Sequence, residues 1–543
     1  RRNVVLNQMA KYKDVLKENI GLTITDGMIK ATKQFPLELN YKRYTTSSGL
    51  APHFREKIKG QLKKWCAENE KPDGSNYSLY NDGLKIYTTI DSRMQEYAQQ
   101  AVSTHLSALQ KDYDAHWKGR EPWEDSPSFI KRAMQQTNRY KAGKKAGKSN
   151  KDLEEEFTKT YIKMDIMDPT NGAKIIEDKL MTPMDSLKHY LNVLNTGFFV
   201  MDHQTGDVKV WVGSIDHQYF PFDHTRATRQ VGSTFKPFVY ATAIDQLQLS
   251  PCDSFPRSPI TIEANKFGNP EPWTVKNVDG NYSGIQTLKD ALASSTNTVT
   301  ARLMNEIGPQ PVVEMAKKLG IKSDILPVPA IALGTPDISV YEMVAAYSTF
   351  ANKGVYNKPV MVTRIEDKNG TVLYQFVPES KDVLSEEVAY VTVNLMEGVT
   401  QAGSGKRLRH KWAIKNKVYK EIITGYPYEL DNPIAGKTGT TQNQSDGWFM
   451  GMVPNLVTGV WVGGEDRAVH FKSITYGQGA AMALPIWGLY MKSCYADKEL
   501  NISKSEFESP KDLSINVDCL NHSSSIDADE DSDEDIPDDL DFG

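Results

Sequence analysis

Residues 447–463 read Gly-Trp-Phe-Met-Gly-Met-Val-Pro-Asn-Leu-Val-Thr-Gly-Val-Trp-Val-Gly, two apolar runs joined by Pro454-Asn455. Aromatic and β-branched residues on both sides of a short turn predict a strand hairpin. A second hairpin is predicted far earlier, where residues 197–202 and 208–212 flank a turn. Helical stretches lie between the two hairpins, so the pattern favours an α/β-type sandwich in which strands distant in sequence pair. The predicted helices are 236–247, 288–304, 312–319, 339–351 and 386–399.

Length and composition are those of a multidomain globular chain. Its 543 residues are 39% hydrophobic and 24% charged, which allows two or three domains. The net charge of −5 is unevenly distributed, because residues 527–541 contain ten Asp/Glu and no Lys or Arg, leaving +5 on residues 1–526. A mildly basic body suits an anionic polymer or a membrane surface. We expect no nucleic-acid partner.

The cysteines are few and far apart, at Cys66, Cys252, Cys494 and Cys519. Since they lack the spacing of metal ligands, we expect neither a metal nor another cofactor. Four free thiols are the favoured interpretation, with a Cys494–Cys519 disulfide as the alternative. The sequence has no run of 18 apolar residues and no signal peptide, and it begins Arg1-Arg-Asn without Met. We therefore expect a fragment, with any membrane anchor upstream of it.

Ser233-Thr-Phe-Lys236 carries a nucleophile and a base. It follows a glycine and opens an apolar helical run, which predicts Ser233 as the helix N-cap with Lys236 on the same face, within hydrogen-bond reach. A lysine kept neutral by burial or by nearby positive charge can take the serine proton. The helix N-terminus also directs backbone N–H groups at the developing oxyanion. Alone the motif is weak, because Ser128-Phe-Ile-Lys131 has the same form and is interpreted as a surface helix.

Ser295-Thr-Asn297 is a candidate polar relay. Its serine hydroxyl can pass a proton between Lys236 and a substrate nitrogen, while the Asn297 amide holds a substrate amide. An ordinary polar helix face is the alternative interpretation of this motif. The sequence contains no G-x-S-x-G, H-E-x-x-H, Walker or dinucleotide-binding motif that would support a competing chemistry.

Lys437-Thr438-Gly439-Thr440 is the most specific of the three motifs. A strand edge with a cation and two hydroxyls can bind a carboxylate, and Gly439 lets a substrate backbone come close. A peptide could lie along this edge as an added strand. We expect the Thr440 N–H to form an oxyanion hole with the N–H of Ser233.

These motifs and their surroundings resemble the penicillin-recognising serine transpeptidases. The similar stretches are Arg229-Gln-Val-Gly-Ser-Thr-Phe-Lys-Pro-Phe-Val-Tyr240, Tyr282-Ser-Gly-Ile-Gln-Thr-Leu288, Ala332-Leu-Gly334, Tyr347-Ser-Thr-Phe-Ala-Asn352 and Gly436-Lys-Thr-Gly-Thr-Thr441. They look like a class A, or bifunctional, penicillin-binding protein, strongly over residues 195–490 and more loosely over 1–95. The resemblance implies an α/β (α+β) penicillin-binding transpeptidase/β-lactamase-like fold, in which helices flank an antiparallel sheet, with a helical subdomain and an N-terminal linker region.

The resemblance also divides the chain into segments. Residues 1–35 resemble the end of a glycosyltransferase domain and 36–99 its linker, whereas 100–193 look like a lineage-specific, partly flexible insertion. Within that insertion the basic, Gly-rich stretch 141–150 is not expected to hold one conformation. Residues 194–500 are the expected transpeptidase domain, and 501–543 an expected disordered tail. The acidic signature of the glycosyltransferase is absent, so we expect no glycan polymerisation.

The implied reaction is peptidoglycan cross-linking. By resemblance, Ser233 attacks the D-Ala-D-Ala bond of a stem peptide, releases D-Ala and passes the acyl group to an amine of a neighbouring stem. Lys236 is the implied general base, Ser295 and Asn297 shuttle protons and position substrate, and the Lys437 motif binds the carboxylate. β-Lactams are implied to trap Ser233. The implied location is the cell envelope, anchored in the cytoplasmic membrane with the catalytic domain in the periplasm.

Two alternatives stay open. The same acyl-enzyme could be given to water, as in a D,D-carboxypeptidase or a β-lactamase, although Glu271 is not spaced like the deacylating glutamate of the latter. A non-catalytic wall-binding sensor would also keep the fold, but the motifs lack none of their expected residues.

Overall fold

The computed structural model describes residues 2–35, 47–124, 126, 128–409 and 422–519. The chain divides into two compact units, residues 1–48 and 49–543. The described part of the first unit contains the helices Arg2–Lys11, Lys13–Ile20 and Asp26–Gln34. Among the described residues, every helix is too short or too polar to span a bilayer.

A five-stranded antiparallel sheet lies at the centre of the second unit. Its strands follow the order Ala435–Thr440, Asp446–Val453, Leu456–Gly463, Asn195–Met201 and Val208–Val212. Both predicted hairpins are confirmed, and they join each other, since Val460 lies opposite Phe198. Strands more than 250 residues apart therefore pair, as the alternation of strands and helices predicted.

Helices cover both faces of this sheet because its strands are apolar on both sides. Phe199 and Trp211 face one core, which also contains side chains from the helices Lys236–Leu247, Val340–Ala351 and Glu386–Gln401. The neighbouring Phe198 and Val210 face a second core, built with the helices Ser92–His116 and Leu484–Ala496. The fold class is thus confirmed: an antiparallel sheet flanked by helices.

The other described elements of the second unit surround the sheet and its two cores. Among the described residues, the remaining α-helices are Pro52–Glu68, Ser128–Gln136, Asn138–Lys145, Asn150–Lys159, Pro183–Leu191, Leu288–Ala293, Asn297–Ile307, Pro309–Lys318, Ile474–Gly477 and Gly479–Met482. Its 3-10 turns are Pro169–Asn171, Gly232–Phe235, Pro329–Leu333, Lys406–Leu408, Gln442–Gln444 and Lys498–Leu500. Its remaining strands are Lys85–Thr88, Ile162–Asp168, Lys174–Met181, Thr228–Gln230, Ser254–Pro256, Ile260–Ile262, Trp273–Val275, Ile285–Thr287, Asp337–Ser339, Val355–Asn357, Val362–Glu366, Val372–Gln375 and Ser380–Asp382.

The prediction that residues 141–150 lack a single conformation is wrong. The helix Asn138–Lys145 covers the first half, and Ser149 caps the next helix through a capping box with Asp152. Tyr140 anchors the segment because its ring packs with Phe157 in a small buried cluster. This buried cluster and the cap therefore offset the low helix propensity of the glycines.

The expectation of four free thiols is also wrong. Cys252 and Cys519 form a disulfide across 267 residues, while Cys66 and Cys494 are buried and free. The pairing follows from the path of residues 503–519, here called the C-terminal strap, which returns along the domain and buries Ile515 in the main core. The prediction of a disordered tail over residues 501–543 is therefore wrong for the strap, which packs against the domain. The acidic residues 527–541 lie outside the described residues.

Candidate active site

Ser233 lies on the 3-10 turn Gly232–Phe235, here called the nucleophile turn, and not at a helix N-cap as predicted. The turn continues directly into the helix Lys236–Leu247, here called the lysine helix, whose first turn accommodates Pro237. The lysine helix thus has its predicted bounds. Its N-cap is Phe235, which leaves the half-buried serine one turn earlier.

Two glycines hold the nucleophile turn in place. Gly232 has φ 54° and donates its N–H to the carbonyl of Gly334 at 2.9 Å. Gly334 itself has φ 81°, and a Cβ at this position would lie 1.7 Å from the Gly232 oxygen. Both positions therefore require glycine, for the positive φ and for the close backbone contact. Tyr347 adds a third contact by donating its hydroxyl to the Thr234 carbonyl at 2.5 Å.

Lys236 is fully buried beneath the nucleophile turn. Its Nζ donates to the Ser295 carbonyl at 2.5 Å and to Asn297 Oδ1 at 2.7 Å, and lies 3.3 Å from Ser295 Oγ. In the described part of the chain, the expected hydrogen bond from Lys236 to Ser233 is replaced by these contacts. Burial first, and the charge of Lys437 second, hold the pKa of Lys236 well below its ordinary value.

Ser295 marks a break in what was predicted to be one helix over 288–304. The structure has two helices, Leu288–Ala293 and Asn297–Ile307, and Ser295 between them has φ 59°. This left-handed residue turns its hydroxyl and its carbonyl toward the buried lysines. A serine accepts such strain where surrounding contacts overdetermine it, and strained residues concentrate at functional sites. Asn297 is oriented by donating its amide to the Lys276 carbonyl at 3.1 Å.

Lys437 lies on the strand Ala435–Thr440. We call this strand the edge strand, because among the described residues it pairs with a single neighbour in the sheet. The fully buried Nζ of Lys437 donates to Ser295 Oγ and to the Thr438 carbonyl, each at 3.0 Å. Burial lowers the pKa of Lys437 to about 7. The amines of Lys236 and Lys437 therefore both lie within hydrogen-bond distance of Ser295 Oγ.

The edge strand runs directly beside the nucleophile turn. A Cβ on Gly439 would lie 2.7 Å from the Val231 carbonyl, and one on Gly232 would lie 2.7 Å from the Thr440 carbonyl. Because Thr441 donates its N–H inward to Asp446 at 3.2 Å, alternation along the strand turns the N–H of Thr440 outward, to the side of Ser233. This is the arrangement that the predicted oxyanion hole requires.

The three predicted motifs converge on one site. Ser233, Lys236, Ser295, Asn297, Lys437 and the edge-strand residues Thr438, Gly439 and Thr440 come from four separate elements that meet at the edge of the sheet. The lookalike Ser128-Phe-Ile-Lys131 does lie on a surface helix, where Lys131 pairs with Glu154 at 3.0 Å.

One residue near the site was missed by the sequence analysis. The Ser404 hydroxyl lies 2.6 Å from Thr438 Oγ1 and comes from the turn 403–405 after the helix Glu386–Gln401. A serine between two glycines was the available signal, but nothing local ties it to the other motifs. Among the described residues no group of His, Cys, Asp and Glu could hold a metal ion.

Solved structures share this arrangement of sheet and helices, which is the fold of the penicillin-binding serine enzymes. Penicillin-binding protein 1A from Haemophilus influenzae aligns with a TM-score of 0.61 at 20% identity, covering 94% of this chain and 77% of that one. PonA1 from Mycobacterium tuberculosis, solved in complex with penicillin V, aligns with a TM-score of 0.55 at 20% identity, covering 86% of this chain and 97% of that one.

Family and sequence comparisons identify the particular group. Residues 196–466 match the model of the penicillin binding protein transpeptidase domain, and residues 118–194 match the penicillin-binding protein middle domain. The stretch interpreted as an insertion thus matches a segment known in this family. The chain belongs to the penicillin-binding proteins and contains their transpeptidase domain.

Two of the similar curated proteins are both named penicillin-binding protein 1A. The protein of Aquifex aeolicus is 32% identical over 422 residues, which cover 76% of this chain and 54% of that protein. The protein of Neisseria lactamica is 26% identical over 529 residues, which cover 91% of this chain and 60% of that protein. The chain therefore spans just over half the length of these relatives.

Proposed function

We propose that this chain is the D,D-transpeptidase part of a class A penicillin-binding protein and cross-links peptidoglycan stem peptides through an acyl-enzyme on Ser233. The observation that carries the proposal is the buried pair of lysines on either side of Ser295. The two ammonium groups could not both stay charged so close together without water, so one amine is available as a base.

Lys236 is the proposed general base. A neutral amine has two N–H bonds, and the Ser295 carbonyl and Asn297 Oδ1 accept both of them. Its lone pair is then free to take a hydroxyl proton. When a donor peptide enters, Lys236 removes the proton from Ser233, whose oxygen attacks the carbonyl between the two D-Ala residues.

The adduct and its breakdown use the remaining residues. The backbone N–H groups of Ser233 and Thr440 stabilise the tetrahedral oxyanion. Ser295 passes the proton from Lys236 to the leaving nitrogen, so D-Ala departs as a neutral amine and the acyl group stays on Ser233. An amine from a second stem then attacks the ester, and the same groups return its proton. Lys437, Thr438 and Thr440 hold the terminal carboxylate of the donor.

The same chemistry accounts for β-lactam sensitivity. A β-lactam presents a strained amide and a carboxylate, and its acyl-enzyme on Ser233 retains the leaving group. We place the domain in the cell envelope, facing the periplasm, with the membrane anchor in a segment of the protein outside this chain. We also propose the division of the chain into segments. Residues 1–35 are the end of a glycosyltransferase domain, 36–99 its linker, 100–193 the segment before the transpeptidase domain, 194–500 that domain, and 501–543 the segment after it.

Mass spectrometry after ampicillin tests the nucleophile. The wild-type chain should gain one drug mass on the peptide that contains Ser233, and Ser233→Ala should gain none. Ser128→Ala, which changes the lookalike motif, is the matched control and should label like the wild type. An unlabelled wild-type chain would favour the sensor alternative.

Product analysis distinguishes transfer from hydrolysis. A transpeptidase incorporates an added D-amino acid into a stem-peptide substrate, whereas a carboxypeptidase or β-lactamase releases only the hydrolysed product. Hydrolysis without incorporation would contradict the proposed function while leaving Ser233 as the nucleophile.

A further inference from the structure

The turn 403–405 joins two of the motif-bearing elements. Ser404 donates its N–H to the carbonyl of Ala293, the last residue of the helix that leads into Ser295, at 3.1 Å. A Cβ on Gly403 would lie 2.2 Å from that same carbonyl, so the turn approaches the helix end more closely than another residue would permit. The side chain of Ser404 then reaches the edge strand.

The contact between Ser404 and Thr438 is a pair of hydroxyls. Their oxygens lie 2.6 Å apart, and Thr438 is almost fully buried. Either hydroxyl can donate in the free protein. If Thr438 donates to Ser404, the Thr438 proton is engaged in that hydrogen bond, and the lone pairs of the Thr438 oxygen face an incoming anion. If Ser404 donates to Thr438, the Thr438 proton stays available for that anion.

A bound carboxylate decides between these two directions. An anion favours the arrangement in which every proton in the chain points toward it, and each hydrogen bond in such a chain strengthens the next. We propose that Ser404 is a positioning residue for the donor carboxylate, which donates to Thr438 Oγ1 and thereby directs the Thr438 proton to the substrate. This inference rests on the proposed transpeptidase function.

The inference makes Ser404 a determinant of specificity for anionic donors. Its effect passes through Thr438, so it depends on the negative charge at the end of the donor. The effect of Ser404 on the rate therefore does not arise from contact with the acyl carbon or with the two lysines. The backbone hydrogen bond to Ala293 holds Ser404 in place beside the edge strand.

Two thioester substrates test the proposal. Both carry an acyl-D-alanyl group, and their leaving groups are mercaptoacetate, with a free carboxylate, and mercaptoacetamide, without one. With Ser404→Ala we expect kcat/KM for the carboxylate substrate to fall about fivefold, within the usual range for the loss of one hydrogen bond between neutral groups. Turnover of the carboxamide should change less than about twofold, since it places no anion beside Thr438. Ser404→Thr should restore the lost activity.

A double-mutant cycle distinguishes positioning from a general loss of structure. Adding Ser404→Ala to Thr438→Val should cost little more than Thr438→Val alone, because the serine acts through the threonine. Ser380→Ala is the matched control: it removes another 2.6 Å hydroxyl bond, to Asn357, and should leave both substrates unaffected.

Three outcomes would overturn the inference: equal losses on both substrates, additive effects in the cycle, or wild-type kinetics of Ser404→Ala. Ampicillin labelling of Ser233 is measured on each variant. If labelling persists while Ser404→Ala behaves as wild type, the positioning role fails and the proposed function stands. If the wild-type chain neither labels nor turns over the carboxylate substrate, the proposed function fails.

Discussion

At the scale of single residues, the site depends on two lysines that are removed from water. Lys236 and Lys437 are both fully buried, and both contact Ser295 Oγ. Burial lowers the pKa of each amine, and the charge of Lys437 lowers the pKa of Lys236 further. In the proposed mechanism the second lysine therefore has two roles: it is the cation for the donor carboxylate, and its charge helps to keep the first lysine neutral.

The pH dependence of acylation should report both roles. Acylation by penicillin should rise with pH as Lys236 loses its proton, and fall as Lys437 loses its charge near its pKa of about 7. The two apparent values belong to the coupled pair. In Lys437→Met the repulsion is gone, so the pKa of Lys236 rises and the acid limb moves to higher pH. The rate itself should fall by about tenfold or more, because the carboxylate loses a charged partner.

Rates of fluorescent penicillin labelling between pH 5 and about 10 would measure both limbs. Lys353→Met is the control, because this lysine pairs at the surface with Glu386 and Glu508. An acid limb that stays in place in Lys437→Met would show that the second lysine does not tune the first.

At the scale of elements, short connections position the chemical groups. The nucleophile turn is held between Gly334, Tyr347 and the edge strand, while Ser295 lies in the break between two helices. None of these contacts is local in sequence. Each of them fixes a backbone segment of only a few residues, so a small displacement of one segment should separate the reacting groups.

Gly334→Ala should displace the nucleophile turn. The positive φ alone costs about 1–2 kcal/mol for a residue with a Cβ, and the new methyl group would also collide with the Gly232 carbonyl. We expect the ampicillin acylation rate to fall by about tenfold, since misplacing a nucleophile by about an ångström has effects of this order or larger. Stopped-flow acylation and denaturant unfolding measure the two effects separately.

Gly370→Ala is a closely matched control for this substitution. Gly370 has φ +93°, but a Cβ there has no neighbour within 4 Å. It should lose stability from the φ strain alone and keep its acylation rate. Equal acylation by both variants would mean that the close contact between the two glycines does not position Ser233.

At the scale of the whole molecule, the C-terminal strap closes the domain. Glu387 accepts hydrogen bonds from the N–H and hydroxyl of Ser514 and from the N–H of Ile515, at 2.5 to 2.9 Å. The strap ends at the Cys252–Cys519 disulfide. Cys252 lies in the loop whose carbonyls, at Pro251 and Asp253, accept the first N–H groups of the helix Leu288–Ala293. The strap thus supports the segment that leads to Ser295.

Reduction of this disulfide should lower the free energy of unfolding. A cross-link over 267 residues restricts the unfolded chain strongly, and its loss typically costs about 2–4 kcal/mol. Urea unfolding with and without a reductant would measure the change. The variant Cys252→Ser/Cys519→Ser is the control, since reductant should not alter its stability. A reductant effect of equal size in this variant would assign the loss to another cause.

The local chemistry of the site could be predicted from the sequence. The two apolar runs of residues 447–463 determine a strand hairpin, and the spacing of Ser233 and Lys236 places the proposed nucleophile and base on adjacent turns. Asp91 at the N-cap of the helix Ser92–His116 is a feature of the same kind, because a side-chain acceptor beside a helix start acts over two or three residues. Such features depend on neighbours in the chain, so the sequence carries them directly.

Tertiary structure alone decided the contacts between segments far apart in the chain. The left-handed turn at Ser295, the hydroxyl pair of Ser404 and Thr438, and the partner of Cys252 all contradict or escape the local pattern. Helix packing on both sides of the break and the hydrogen bonds from the two buried lysines hold Ser295 in a conformation that its own backbone disfavours. The packing of helices and sheet determines which hydroxyl or thiol groups come into contact. The residue spacing within one segment carries no information about distances between segments.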